Sequence, residues 1–345
     1  MNIIHEAHIG GLALYVLRKV FTDDETEEMT SKYVDTVKLV INDDSDVYDE
    51  NGKILARFRK AVIPLDEQTS FYNALGKHLH HIGQLRGIAT ATELTEEQRK
   101  ECKTISRASA ITKFNGKCKS NIFGYFDTFT PHTKRLMGKT VWKPYARICA
   151  WNRKNPEKYQ QTLPLIKQVD RLYAKLQPDK YSKQREKADA IFMKIEDTAF
   201  TTITTNINFR TALHTDKGDD IDGFGNLSVI EYGSYTGGET CLYQYGVGFN
   251  VRGGDILLMD VHQLHGNLPL NLEGDAIRCS IVCYLRAGLW KNTKGMTKEE
   301  CDAYIQRVQS LGKKSICNVD GLRDCNTDLQ ALRVIDDEDF GDAKA

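Results

Sequence analysis

From Ala199 onward the chain is written in short runs of alternating apolar and polar residues, broken at Gly237-Gly238, Gly253-Gly254 and Gly274-Asp275. Alternation at a period of two between glycine turns predicts strands. They fall at 199–214, 227–233, 239–243, 246–251, 255–261 and 277–286. Near the N-terminus, "LALYVLRKVF" and "ILARFRKAVI" are further strand candidates, with "DENGK" as the turn before the second. A helical period appears in two places. In "TSFYNALGKHLHHIGQL", Phe71, Leu75, His78 or Leu79 and Ile82 share one face. In "LPLIKQVDRLYAKLQPDKY", Leu165, Val169, Leu172 and Leu176 form a stripe, with Pro164 placed to start the helix and Pro178 to end it. Another helix is predicted over 297–312, ahead of an acidic end.

Closely spaced strands with turn signals form a sandwich or barrel, for which a jelly roll is a natural solution. The predicted class is therefore α+β, a double-stranded β-helix (jelly-roll) core with supporting helices. Residues 1–100 read as a β-rich and helical extension packed on that core. Residues 101–295 read as the core with its basic helical support, and 296–345 as a C-terminal helix and acidic tail.

With 345 residues, the chain is long enough for a sizeable core. Its longest apolar runs, such as "ILLM" at 256–259, fall far short of a membrane span. The opening "MNIIHEAHIGG" has no basic region followed by an apolar one, so no secretory signal is expected. Nine cysteines, none in a CxxC pair, fit isolated thiols in a reducing, intracellular compartment. The formal net charge is zero, but residues 101–190 hold 20 Lys+Arg against 7 Asp+Glu. That segregation is what a polyanion-binding surface requires. Aromatic residues in or beside it, Trp142, Tyr145 and Trp151, are candidates to stack on bases; Arg147, Arg153 and Arg210 are candidate phosphate or base contacts.

The chemistry concentrates in the strand-rich half. On a strand, residues i and i+2 face the same way, so His214 and Asp216 at a strand's end can chelate one cation. A third ligand lies about fifty residues on, in "DILLMDVHQLHGN", where either His262 or His265 would complete two imidazoles and one carboxylate. His265 abuts the Gly266-Asn267 turn that ends the strand and is the better placed. This facial triad is the ligand set of non-haem Fe(II) oxygenases and leaves open positions for a chelating co-substrate and dioxygen. In "IRCSIVCYL", Arg278 and Ser280 share a face. An inward arginine in a barrel is costly unless it meets an anion. The far carboxylate of 2-oxoglutarate would supply one through a bidentate fork.

Three stretches then acquire a common meaning. "IEDTAFTTITTNINFRTALHTDKGDDIDGFGNLSVIEYGSYTGGE", "VRGGDILLMDVHQLHGN" and "RCSIVCYLR" resemble the dioxygenase domain shared by the base J-binding proteins and the ten-eleven translocation enzymes. The kinetoplastid thymine hydroxylases are the nearer relatives, and the resemblance covers roughly residues 110–290. It implies Fe(II) held by His214, Asp216 and His265, 2-oxoglutarate held by Arg278, and dioxygen as co-substrate. It further implies DNA as partner, with oxidation of a pyrimidine 5-methyl group: thymine to 5-hydroxymethyluracil first, 5-methylcytosine second. A base buried in a duplex stack has to be flipped out for such chemistry. In a eukaryote the expected location is the nucleus. The sequence departs from the fuller kinetoplastid proteins in leaving no room for a separate base J recognition domain, and it lacks the cysteine-rich region of the animal methylcytosine oxidases. The same iron chemistry would also serve a hydroxylase of protein or peptide side chains, against which the basic region argues.

Overall fold

The computed structural model describes residues 3–81, 118–127 and 146–306. The strands are β1 (Ile3–Ile9), β2 (Leu12–Leu17), β3 (Leu39–Ile41), β4 (Ser45–Asp49), β5 (Ile54–Arg59), β6 (Lys119–Phe126), β7 (Arg147–Ile148) and β8 (Thr202–Ile207). They continue with β9 (Gly225–Tyr232), β10 (Tyr235–Gly237), β11 (Thr240–Leu242), β12 (Val247–Phe249), β13 (Ile256–Met259), β14 (His265–Asn267), β15 (Leu270–Leu272) and β16 (Ile277–Tyr284). The helices are α1 (Asp23–Glu28), α2 (Leu65–Leu75), α3 (Ala150–Lys154), α4 (Pro156–Leu176), α5 (Pro178–Asp189) and α6 (Ala287–Thr293). Residues 298–306 are also helical, within the predicted C-terminal helix, whose remainder lies outside the described residues.

The period-two pattern sorts each central strand between two cores. A major sheet of ten strands runs β1-β2-β4-β5-β13-β9-β16-β8-β6-β7, and a minor sheet runs β14-β11-β12-β3. On one face of the major sheet, Ile256, Leu258, Cys279, Ile281 and Cys283 pack against Phe71 and Leu75 of α2 and Leu165, Val169 and Tyr173 of α4. On the other face, Leu227, Val229, Leu257 and Met259 pack against Leu242, Val247 and Phe249 of the minor sheet. The order is thus helices, major sheet, minor sheet. The N-terminal segment continues these sheets rather than lying on them: β5 pairs antiparallel with β13, and β3 pairs parallel with β12.

Two elements differ from their predicted extents. Helix α4 begins at Pro156 and runs through Pro164. Pro156 occupies the first turn, where a missing N–H costs nothing. Pro164 removes the bond to the carbonyl four residues back and crowds that carbonyl, a cost offset by the apolar stripe beyond it, which keeps the helix docked. The strand predicted over 199–214 ends at Ile207, because Asn208 takes a left-handed conformation (φ 50°). Its side chain accepts a bond from Arg278 N at 2.7 Å and donates to Ala276 O at 3.0 Å. From there the chain leaves the major sheet and crosses to the minor one. The "DENGK" turn forms as expected: Gly52 has φ 76°, and the Asp49 carboxylate accepts from Lys53 N at 2.8 Å between β4 and β5.

Six described cysteines, at 118, 149, 241, 279, 283 and 301, are buried thiols that form no disulfide among the described residues. Among the described residues no helix is long and apolar enough to cross a membrane.

Candidate active site

The crossing after Asn208 brings His214 to the edge of the minor sheet. There it forms a reciprocal bridge with His265, the first residue of β14: His214 N donates to His265 O at 2.8 Å, and His265 N to His214 O at 2.9 Å. Two residues on, Asp216 N donates to Val261 O at 3.1 Å. His214 and Asp216 therefore converge through an irregular crossing rather than along one regular strand. One ligand atom from each of His214, Asp216 and His265 lies within 4.8 Å of the other two. The Asp216 oxygens stand 3.6 Å from His214 Nε2 and 3.5 Å from His265 Nε2. Cis donors bonded at ~2.1 Å to one ion lie about 3 Å apart, so small side-chain movements suffice to close the site.

The imidazoles are oriented from behind. Nδ1 of His214 donates to Ala212 O at 2.7 Å, and Nδ1 of His265 to Gln263 O at 2.9 Å. This arrangement turns both Nε2 atoms toward Asp216, with the carbonyl contacts fixing each ring's tautomer and angle. Burial alone would push the Asp216 carboxyl up. The hydrogen bond from His265 and the charges of His265, His214 and Arg286 outweigh it and hold Asp216 well below the usual carboxylate range. His262 takes no part. Its Nε2 points to the Asp220 carbonyl at 3.3 Å.

The three side chains open into a cavity of about 340 Å³ between the sheets, into which Arg278 also projects. Arg278 is 4% exposed, yet among the described residues its Nε and Nη2 have no hydrogen-bond partner. Burial depresses its pKa from the ordinary arginine value, with Tyr235 on one side and the like charge of Arg252 nearby. A buried cation with an open edge of two N–H groups is the complement of a carboxylate. Gly238 (φ 77°) makes room for it, since a Cβ there would lie 3.3 Å from Arg278 Nε. Beside Arg278 on the cavity floor, Ser280 Oγ accepts from Asn206 Nδ2 at 3.2 Å. Two imidazoles and a carboxylate suit Fe(II), and the unpaired guanidinium edge suits the far carboxylate of a dicarboxylic acid. The residues fit both groups.

The structure does not bring the expected substrate residues into this cavity. Trp151 is 8% exposed and stands in the main core, its ring centroid 5.3 Å from Phe123 and 5.4 Å from His78. A ring enclosed on both sides has no face to offer a base, so its role as a base contact is corrected to core packing. Trp151→Ala is accordingly expected to cost about 3–5 kcal/mol of stability, which thermal unfolding checks. Arg210 is also corrected, because its guanidinium is used within the protein. Nη2 donates to Val34 O and to Asp35 Oδ1, both at 2.7 Å, and the group lies 4.6 Å above the Tyr33 ring. Arg147 sits on β7 with its guanidinium 5.6 Å from the Phe126 ring centroid, away from the cavity lining. Trp142 and Tyr145 lie outside the described residues.

Conversely, Thr204, Tyr284 and Arg286 line the cavity without having been anticipated. Tyr284 Oη and Thr204 Oγ1 are hydrogen-bonded at 3.0 Å. Arg286 Nε donates to Asp127 at 3.1 Å, and its Nη1 is 3.8 Å from Asp219. The signal lay in the alternation itself: the face that carries Arg278 and Ser280 continues to Val282, Tyr284 and Arg286.

Residues 143–287 match the model of the Tet_JBP family, described as the oxygenase domain of the 2OGFeDO superfamily. The chain is 35% identical over 200 residues to the bifunctional helicase and thymine dioxygenase JBP2 of Leishmania braziliensis, covering 55% of this chain and 17% of that one. It is 34% identical over 173 residues to the thymine dioxygenase JBP1 of Trypanosoma brucei brucei, covering 49% and 19%. With JBP2 of Trypanosoma cruzi the identity is 28% over 304 residues, covering 85% and 25%. The chain thus spans a quarter or less of these relatives' length. Among solved structures, NgTET1 in complex with 5mC DNA aligns over 85% of this chain and 89% of its own, at 12% identity and a TM-score of 0.48.

Proposed function

We propose, from the premise that residues 143–287 form an oxygenase domain of the Tet_JBP family, that the protein is an Fe(II)- and 2-oxoglutarate-dependent dioxygenase of DNA. Its reaction is hydroxylation of a pyrimidine 5-methyl group, thymine to 5-hydroxymethyluracil. The observation that carries this reading is one cavity holding a two-histidine, one-carboxylate cluster and a buried arginine with an unpaired edge. Thymine is preferred to 5-methylcytosine because the matched relatives are named thymine dioxygenases. In this reading the major and minor sheets are the two leaves of a double-stranded β-helix, whose core strands lie within 101–295 and whose edges are extended by β1–β5.

His214, Asp216 and His265 would hold the iron, and Arg278 the far carboxylate of 2-oxoglutarate. When bound, the pair supplies the oxidant: dioxygen is consumed, 2-oxoglutarate leaves as succinate and carbon dioxide, and one oxygen atom enters a C–H bond. The protein's own part is positional. Ala212 and Gln263 carbonyls aim the imidazoles, Asp216 supplies the negative charge, and the surrounding sheets exclude water from all but the cavity mouth. Leu227, Met259, Val261 and Val282 give the cavity an apolar side fit to receive a methyl group. The target base reaches it by leaving the duplex stack. Helices α4 and α5 hold eight Lys+Arg against five Asp+Glu and carry a small part of the positive excess over 101–190. Phosphate contacts there make binding weaken as salt rises. A DNA-modifying enzyme of this kind would act in the nucleus of a eukaryotic cell.

The test is nucleoside mass spectrometry of duplex DNA incubated with the protein, Fe(II), ascorbate and 2-oxoglutarate, beside a peptide library under the same conditions. The expected product is 5-hydroxymethyluracil, formed with stoichiometric succinate. Succinate formation stimulated by peptides alone, with unmodified DNA nucleosides, overturns the proposal.

A further inference from the structure

The metal-binding cluster has a support that lies far outside the matched segment 143–287. Residues 29–37 form a strap between α1 and β3 that runs behind the two histidines. Ser31, in the left-handed region at φ 68°, donates its N–H to Leu213 O at 2.8 Å, and Leu213 N donates to Lys32 O at 2.9 Å. This pairing clasps the residue immediately before His214. Val34 enters a small buried cluster with Leu213, Leu264, Cys241 and Leu268, against which Met29 and Val37 also pack. Leu213 and Leu264 each directly precede a histidine of the metal cluster. Their side chains are anchored behind in the strap's cluster, while the imidazoles project forward into the cavity.

A second tie runs alongside. Arg210 joins the strap, at Val34 O and Asp35, to the far end of β14, where its Nε donates to Asn267 O at 3.3 Å. Thr211 Oγ1 donates to Asn267 Oδ1 at 2.6 Å, and Asn267 N to Thr211 O at 3.1 Å. The close approach is strict: a Cβ on Gly266 would meet the Ala212 backbone at 3.1 Å. The separation of His214 from His265 is therefore set by an assembly with three members, namely the crossing 210–214, β14 and the strap. Of these only the strap is remote in sequence from the cluster.

We propose that residues 29–37 are a positioning element of the metal site, with Val34 and the Asp35–Arg210 pair fixing the spacing of His214 and His265 through Leu213 and Leu264. The inference rests on reading His214, Asp216 and His265 as metal ligands. Direct supporting contacts of ligating histidines typically govern about 10–100-fold in metal affinity, and the strap, acting through Leu213 and Leu264 one contact further out, is expected at the lower end of that range.

The experiment titrates the full chain with Co(II), whose visible absorption reports ligand geometry, comparing wild type with Val34→Ala, Val34→Ile and Asp35→Ala, each checked for fold by circular dichroism. Val34→Ala is expected to weaken Co(II) binding about 10-fold or more and to alter the absorption envelope, while Val34→Ile stays close to wild type. Asp35→Ala removes an exposed partner that the fold does not need, and is expected to weaken binding by a smaller factor. Folded Val34→Ala and Asp35→Ala proteins with wild-type affinity and spectrum overturn the inference; if Val34→Ala fails to fold, Asp35→Ala decides. Wild type that takes up no Co(II) overturns the metal reading itself, which separates the two failures.

Discussion

Asp216→Ala is expected to abolish succinate formation and DNA oxidation together, by more than the ~100-fold that loss of a supporting contact costs, with only a small change in thermal stability. Asp216 supplies the cluster's negative charge, and two neutral imidazoles alone lack the anionic ligand of the two-histidine, one-carboxylate set. The fold depends on this side chain far less than the chemistry does. Its backbone N–H, not its carboxylate, ties the crossing to Val261 O, and the side chain retains 32% exposure at the cavity mouth. Truncation at such a site usually moves stability little. Turnover, Co(II) uptake and the unfolding temperature measured on the same preparation distinguish the outcomes. Wild-type turnover in this variant would mean that another carboxylate holds the ion. Asp219 and Asp260 are nearby in sequence to the cluster segments, but they are paired with Arg286 and Lys53 respectively.

What could be read from the sequence follows from which interactions are local. Short strand-like runs between glycine turns located β8, β9, β11, β12, β13 and β16, and within β16 alternation separated the two faces. The same alternation put Arg278 and Ser280 on the cavity side. The spacing of His214 and Asp216 announced a chelate, although the strand imagined beneath it ends seven residues earlier, at Ile207. That break depends on Asn208 bonding to Arg278 and Ala276, nearly seventy residues away, and no local pattern encodes it. The helix start at Pro164 failed for a related reason: a proline tolerated inside a well-docked helix looks, in sequence, like one that begins it. Trp151 and Arg210 were misread because composition reveals a side chain's chemistry and not its company. An arginine between Val34 O and Asp35 is spoken for, but its partners lie some 175 residues upstream. The contribution of residues 29–37 was hidden in the same way, since a strap that is polar and irregular in sequence acquires its role only where it meets Leu213.

Arg278→Met should produce two effects of opposite sign, and their combination is more telling than either alone. In the ligand-free protein, Arg278 is a buried cation whose Nε and Nη2 lack partners among the described residues, and burial already pulls its pKa down. Replacing such a group by an apolar chain of similar length removes an uncompensated desolvation cost, so the ligand-free variant is expected to unfold at the wild-type temperature or above it. Binding of 2-oxoglutarate reverses the order. The wild type gains charge-assisted bonds worth roughly 3 kcal/mol, which the variant forfeits, raising Kd about 100-fold. At a concentration 100 times the wild-type Kd, linkage stabilises the wild type by about 2.7 kcal/mol, whereas the variant's unfolding temperature should hardly move. Arg278→Lys, which keeps a charge but not the planar fork, is expected to fall between them. Thermal shift with Co(II) present, with and without 2-oxoglutarate, reads all of this without turnover. A variant that unfolds well below wild type and still responds fully to 2-oxoglutarate would show that Arg278 serves the fold and that the co-substrate is held elsewhere.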